Sequence, residues 1–269
     1  MKSSPPRDEA VLERLHRNTL TLTINRPNTR NALDRAATIA LGDALDRAHA
    51  NPVVRVVVIT GAGDQAFCAG ADLKALAAGE PILPDDPAKA ARGFGGIVRH
   101  AIDKPLIAAV NGSALGGGTE IVLACDLAIA AETASFGLPE VRRGLVAAAG
   151  GAFRLAAHLP HKWAMELLLT GDAIPARRAL ALGLVNAVCR PDELMATATA
   201  LAERIAGNAP LAVQASKRIA KQLDGGTVGV EAAAWTLSDA ETRRLSRSAD
   251  AREGARAFAE KRPPVWQAN

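Results

Sequence analysis

Short apolar runs, too continuous for a half-buried element and too short for a helix, recur through the first half of this chain and break before a helical pattern begins. Residues 53–59 read Val-Val-Arg-Val-Val-Val-Ile, 106–110 read Leu-Ile-Ala-Ala-Val, and 127–130 read Leu-Ala-Ile-Ala. Runs of this kind are the pattern of strands buried on both faces, as in a parallel sheet. Parallel strands cannot be joined by a tight turn and need a crossover. A strand–turn–helix alternation is therefore expected, with right-handed crossovers. Residues 19–25 differ. Leu20, Leu22 and Ile24 alternate with polar residues, which is the period of a half-buried strand, and Arg26-Pro27-Asn28 breaks it.

Helices follow from spacing and end signals. Ala37, Leu41, Ala44, Leu45 and Ala48 recur at helical intervals, Asp34 is placed to cap them, and Asn51-Pro52 stops them. A further helix is expected from about Gly118. Beyond Gly151 the chain turns mostly helical, with helices expected over 176–182, 194–206, 210–223 and 251–260. The expected division is an α/β core over 1–190 and a helical region over 191–269. Residues 75–96 carry Gly79, Pro81, Pro84 and Pro87 and hold no period, so they predict a mobile loop or a broken helix over a pocket.

Composition excludes several functions. With 269 residues, 49% of them hydrophobic, the chain can bury a sizeable core, yet it contains no Tyr, so no mechanism can rest on a tyrosine acid or oxyanion donor. The net charge is +4, the basic residues are dispersed, and aromatics are only 3%. A nucleic-acid groove needs a basic stripe with stacking rings, so no nucleic-acid partner is expected. Cys68, Cys125 and Cys189 form no C-x-x-C pair, which argues against both a zinc site and a disulfide framework. The first residues, Met1-Lys2-Ser3-Ser4-Pro5-Pro6, lack an apolar signal core, and no apolar run reaches the ~18 residues of a membrane span. The expectation is a cytoplasmic protein with no membrane partner, no metal and no separate cofactor.

Three glycine-bearing segments stand where ligands usually bind, at the ends of strands. Gly116, Gly117 and Gly118 lie between a strand and a helix, where backbone can pass close to a ligand and a helix N-terminus presents free N–H groups. Gly117 in particular leaves its N–H without a Cβ beside it. Glu120 falls in the first turn of that helix, a position the helix dipole favours for any carboxylate. Glu140 follows Ser135-Phe136-Gly137-Leu138-Pro139, and the small-residue segment Phe67-Cys68-Ala69-Gly70-Ala71 leads to Asp72, a candidate cap. Each is unremarkable alone. Together they supply two carboxylates to handle protons and two stretches of free backbone for a developing oxyanion. The G-x-G-x-x-G spacing of a dinucleotide site is not met.

Taken in order, these segments resemble the crotonase, or enoyl-CoA hydratase/isomerase, superfamily. The matching stretches are Ile24-Asn25-Arg26-Pro27, Asn31-Ala32-Leu33, Ala66 through Lys74, Lys104 through Gly112, Ala114 through Glu120, Ala134 through Glu140, Gly183-Leu184-Val185-Asn186 and Phe258 through Arg262. The resemblance implies a ββα spiral core with a helical C-terminal trimerisation region, and trimers that often pair into hexamers. It implies Glu120 and Glu140 as the catalytic pair and the N–H groups of Ala71 and Gly117 as the oxyanion hole. It implies acyl-CoA contacts around Asn28, Arg30, Ala69, Asp72, Leu73 and Lys74, and from Lys261, which in such proteins often reaches the CoA of a neighbouring subunit. The activity implied is reversible hydration of an enoyl-CoA thioester, in fatty-acid or other lipid metabolism, with CoA as part of the substrate. Enoyl-CoA isomerisation, dehydration of another 3-hydroxyacyl-CoA as in carnitine metabolism, a non-catalytic acyl-CoA binder and an RNA-binding relative are the rivals. One departure stands out. Val146-Ala147-Ala148-Ala149-Gly150-Gly151 replaces the Pro-Gly-Ala-Gly-Gly common in the family, which predicts a differently shaped acyl pocket.

Overall fold

Two sheets share the core of the computed structural model, which describes residues 9–269; the polar segment 1–6 lies outside the described residues. The chain opens with strands β1 (Val11–His16) and β2 (Thr19–Ile24), then α1 (Arg35–Ala50), β3 (Val56–Gly61), β4 (Ala66–Cys68) and the short helices α2 (Leu73–Ala77) and α3 (Pro87–Ala90). Next come β5 (Leu106–Val110), β6 (Ser113–Leu115), α4 (Gly117–Ala124), β7 (Leu127–Ala131), β8 (Ser135–Gly137), α5 (Gly151–His158) and α6 (His161–Thr170). The remainder is β9 (Ile174–Pro175), α7 (Ala176–Leu182), β10 (Ala187–Cys189), α8 (Leu194–Ala206), α9 (Pro210–Lys221), the hairpin β11 (Leu223–Asp224) and β12 (Thr227–Val228), α10 (Ala232–Leu245) and α11 (Ala249–Ala259).

The larger sheet has the order β1-β2-β3-β5-β7-β10. Only β1 and β2 are antiparallel; the rest pair in parallel, with Val58 beside Ile107 and Ala109 beside Ile129. Both faces are covered, which is why its strands are apolar throughout. Val57, Ile59, Ala108 and Val110 face the main core, with α1 packing through Leu41 and Leu45. Val56, Val58, Ile107 and Ala109 face the other way, where α8 supplies Leu194, Ala198 and Ala202. Full burial of one such Leu, Ile or Val side chain is worth ~1.5–3 kcal/mol. Asp34 caps α1 by accepting the Ala37 N–H at 2.8 Å.

The second sheet, β4-β6-β8-β9, decides where a site can form. Its strands are two or three residues long, and β4, β6 and β8 run parallel. What the sequence pattern marks as a turn between strand and helix is thus a turn plus a short strand of this second sheet. The unit repeats as β3-β4-α2, β5-β6-α4 and β7-β8 followed by the 3-10 turn Pro139–Arg143. That is the ββα spiral expected from the resemblance. Asn111 pins two units together: its side-chain oxygen accepts the Gly61 N–H at 3.1 Å and its amide donates to the Gly63 carbonyl at 2.7 Å. Residues 75–96 form a broken helix. α2 and α3 are capped by Asp72 and Asp86 and separated by Gly79, Pro81 and Pro84, and the stretch ends in the 3-10 turn Phe94–Gly96. Among the described residues no helix is long and apolar enough to cross a membrane.

Candidate active site

Because β4, β6 and β8 are parallel neighbours, the segments that follow them emerge at one edge. Cys68 pairs with Ala114 and Leu115 with Gly137. The three loops are therefore side by side although some 70 residues of chain separate Ala69 from Glu140. The contacts are close. A Cβ on Gly70 would lie 3.1 Å from the Gly117 nitrogen, and one on Gly116 would lie 3.1 Å from Glu140 Oε1. At Gly118 a Cβ would overlap the Cys68 carbonyl, so no side chain fits there. Thr119 fastens the arrangement: its hydroxyl lies 2.7 Å from the Ala114 carbonyl and accepts the Gly137 N–H at 3.1 Å.

Glu120 is 3% exposed. Its Oε1 accepts the Gly151 N–H at 2.9 Å, and the Ala149 N–H adds a second donor. Burial, and then the negative charge of Glu140, push its pKa from 4.5 up to about 8 against those donors. Burial also pushes Glu140 up, to about 7, and its Oε2 is a buried oxygen with no hydrogen-bond partner among the described residues. Two neighbouring carboxyls so placed titrate as a pair and share one proton near neutral pH. The pair can take a proton at one carboxyl while giving one at the other.

Beside the carboxyls stand two free donors. Neither the Ala71 nor the Gly117 N–H donates to any group among the described residues, and both residues are only half-buried. Ala71 is held by its neighbours: Leu33 N–H donates to the Gly70 carbonyl at 2.8 Å and Asp72 N–H to the Leu33 carbonyl at 2.9 Å. Gly117 opens α4. The space its missing Cβ leaves is not empty, however. A Cβ there would overlap the ring of Phe94, so it is the packing of Phe94 that requires glycine at this position.

The remaining expected residues divide. Asn28 and Arg30, both exposed, line a cavity of about 180 Å³ together with Pro27 and Gln65, and the Arg30 carbonyl accepts the Ala69 N–H at 3.1 Å. Leu73 and Lys74 are exposed on α2. The Asp72 side chain is occupied. Its carboxylate accepts the Lys74 and Ala75 N–H groups at 3.0 and 3.4 Å and pairs with Arg26 at 3.1 Å. These partners hold its carboxyl below the usual carboxylate range although burial opposes them. Lys261 is exposed just beyond α11 and makes no ion pair among the described residues. Cys68, fully buried with a thiol pushed up to about 12, is inert.

Two contributions escape the sequence reading. The 146–151 segment, expected to shape the acyl pocket, delivers the N–H groups that hold Glu120; the glycines at 150 and 151 are the only local signal of it. Phe94 stands out only as an aromatic among Gly93, Gly95 and Gly96. Their partners lie in distant segments, out of reach of any spacing argument.

Known proteins share both sequence and fold with this chain. A family model described as enoyl-CoA hydratase/isomerase matches residues 15–269. The carnitinyl-CoA dehydratase of Proteus mirabilis (strain HI4320) is 41% identical over 252 residues, covering 92% of this chain and 94% of that protein. The crystal structure of a carnitinyl-CoA hydratase from Mycobacterium avium superposes with a TM-score of 0.94 at 53% identity, covering 97% of this chain and 99% of that one. That of an enoyl-CoA hydratase from Mycobacterium tuberculosis H37Rv gives 0.74 at 44% identity, covering 97% and 100%.

Proposed function

This chain belongs to the enoyl-CoA hydratase/isomerase family, the crotonase superfamily, and from that premise we propose that it adds and removes water across the Cα–Cβ bond of an acyl-CoA thioester. The observation that carries the proposal is the pair of buried Glu120 and half-buried Glu140, with both pKa values raised, beside the two unpartnered N–H groups of Ala71 and Gly117.

In the dehydrating direction one carboxylate of the pair removes the Cα proton of a 3-hydroxyacyl thioester. Charge passes to the thioester oxygen, where the Ala71 and Gly117 N–H groups hold it. The protonated partner gives its proton to the departing β-hydroxyl, which leaves as water, and the double bond forms. Hydration is the reverse. Losing one preorganised donor of this kind typically costs ~10²–10³ in rate. The retention of two carboxyls favours water chemistry over isomerisation, which needs only one proton shuttle.

The CoA portion runs past Asn28, Arg30, Ala69, Leu73 and Lys74 in this reading, with Asp72 serving as the cap that fixes Ala71. Lys261 reaches the CoA of a neighbouring subunit in a homotrimer or a hexamer. Leu211, Ile219 and Leu237, which are 74%, 79% and 65% exposed on α9 and α10, supply apolar surface for such an assembly. Because curated relatives at 41% identity carry the name carnitinyl-CoA dehydratase, a 3-hydroxyacyl-CoA of the carnitinyl type is the proposed substrate.

A spectrophotometric assay of thioester double-bond absorbance with carnitinyl-CoA and with 3-hydroxybutanoyl-CoA tests both levels. Faster turnover of carnitinyl-CoA supports the specific reading, and faster turnover of 3-hydroxybutanoyl-CoA replaces it with a simple enoyl-CoA hydratase. Glu120→Gln and Glu140→Gln are each expected to lower kcat by at least ~10² while acyl-CoA binding persists. Wild-type turnover in either variant removes that residue from the mechanism.

A further inference from the structure

A guanidinium is buried directly behind the Glu120 site. Arg154 is the fourth residue of α5, the helix whose first residue, Gly151, donates its N–H to Glu120. It is 5% exposed, unusual for an arginine. Its Nε and Nη2 form a fork on Glu231 at 2.8 and 2.6 Å, and Nη2 also donates to the Val98 carbonyl at 2.6 Å. Glu231 is held in turn by the indole N–H of Trp235 at 3.2 Å. The remaining nitrogen, Nη1, is buried without a partner among the described residues. It is aimed at the turn before α5: a Cβ on Gly150 would lie 2.7 Å from Nη1 and 3.1 Å from Trp235. Gly150 takes a φ of +96° and accepts the Arg154 N–H at 3.0 Å.

An unpaired buried donor carries a desolvation penalty that a purely structural ion pair would avoid. Here the unpartnered Nη1 donor points at the turn that presents Ala149 and Gly151 to Glu120. We infer that Arg154, anchored by Glu231, is a positioning residue for the acid–base pair: it braces the Gly150 turn so that its N–H groups meet Glu120. Its charge also acts on that carboxyl, favouring the ionised form. The consequence is that a residue of the C-terminal region, Glu231, acts on the proton affinity of the site. The inference rests on Glu120 being a working carboxyl, not on which acyl group is turned over.

The ionised groups that face Glu120 from the elements packed on α4 are few. Glu140 approaches from the turn Pro139–Arg143, and Arg154 from α5. β4, β5, β6 and the turn Phe94–Gly96 bring no ionised side chain to it. Around Arg154 itself lie Glu231, His100, His158, Lys217 and Lys221, with Arg99 stacked on Trp235 and paired to Asp239.

The test uses Arg154→Met, Arg154→Lys and Glu231→Gln in the full chain. The Glu120 carboxyl is followed by 13C-labelled glutamate NMR, assigned with Glu120→Gln, beside the pH profile of kcat/KM. Arg154→Met is expected to move the Glu120 midpoint to higher pH by about one unit, within the range of a nearby opposite charge. It should also lower kcat ~10-fold with little change in KM. Arg154→Lys should return the midpoint to near the wild-type value. Glu231→Gln removes the charge that offsets Arg154 and is expected to move the midpoint the opposite way, to lower pH. A structural role alone would move the Met and Gln variants together or move neither, and either result overturns the inference. If Arg154→Met does not fold, an unmoved or raised midpoint in Glu231→Gln overturns it instead. A wild-type protein that turns over 3-hydroxybutanoyl-CoA but not carnitinyl-CoA, with opposite midpoint shifts, would overturn the carnitinyl reading and leave this inference standing.

Discussion

Replacing Glu120 by Gln is expected to silence the protein and, at alkaline pH, to stabilise it relative to the wild type. The Glu120 carboxyl titrates at about 8 in the folded protein against an ordinary 4.5. Below pH 4.5 both folded and unfolded chains hold the proton, and the group does not affect stability. Between 4.5 and 8 the folded state keeps a proton that the unfolded chain has released, so stability falls as pH rises. Each unit of that interval is worth ~1.4 kcal/mol. From pH 5 to pH 8 the site therefore removes on the order of 3 kcal/mol of wild-type stability. Glutamine does not titrate. It also turns an amide NH2 toward one of the two donors, Ala149 and Gly151, that serve Glu120, at a cost of ~1–3 kcal/mol. That cost is the same at both pH values. His100, His158 and Glu140 are present in both proteins, and their own titrations cancel to first order. The quantity to measure is the stability difference between variant and wild type, by urea unfolding at one protein concentration, at pH 5 and at pH 8. The difference should shift in favour of the variant by roughly 3 kcal/mol between the two. A difference that stays constant to within ~0.5 kcal/mol would refute the claim that burial raises this carboxyl.

Two further perturbations address other parts of the site. Gly117→Pro removes the N–H at the start of α4, a position where proline is tolerated by a helix, and is expected to lower kcat by ~10² or more. Because the added ring meets Phe94, the variant is paired with Gly117→Pro/Phe94→Ala, and full activity in a folded form of either would place the oxyanion donor elsewhere. Deletion from Ala251 onward removes α11, whose Gly254 sits against the Arg143 carbonyl in the turn that carries Glu140, and whose Phe258 stacks on Arg143. Loss of both activity and assembly is expected, read by light scattering and the thioester assay. A full-length monomer at micromolar concentration with full activity would refute both the trimer and the role given to Lys261.

The sequence by itself determined whatever depends on near neighbours. Continuous apolar runs at 56–59, 106–110 and 127–130 specify strands covered on both faces, because an exposed face would carry polar residues at every second position. Asp34 and Asp72 announce the helices they cap, since a cap and the N–H groups it serves lie within three residues. Glu120 and Glu140 stand out through the glycines beside them. Tertiary structure alone decided the rest. Strands of three residues, such as β4, β6 and β8, are too short to show a period, so the second sheet that gathers the three loops leaves no pattern to read. α10 buries only Trp235, and a helix with a single buried position has no apolar stripe. Gly151, which donates to Glu120, lies 31 positions along the chain, and Glu231 reaches Arg154 across 77. Above all, the proton affinities of Glu120 and Glu140 follow from how completely folding strips water from them. That depth is a property of the assembled core, which no local stretch of sequence contains.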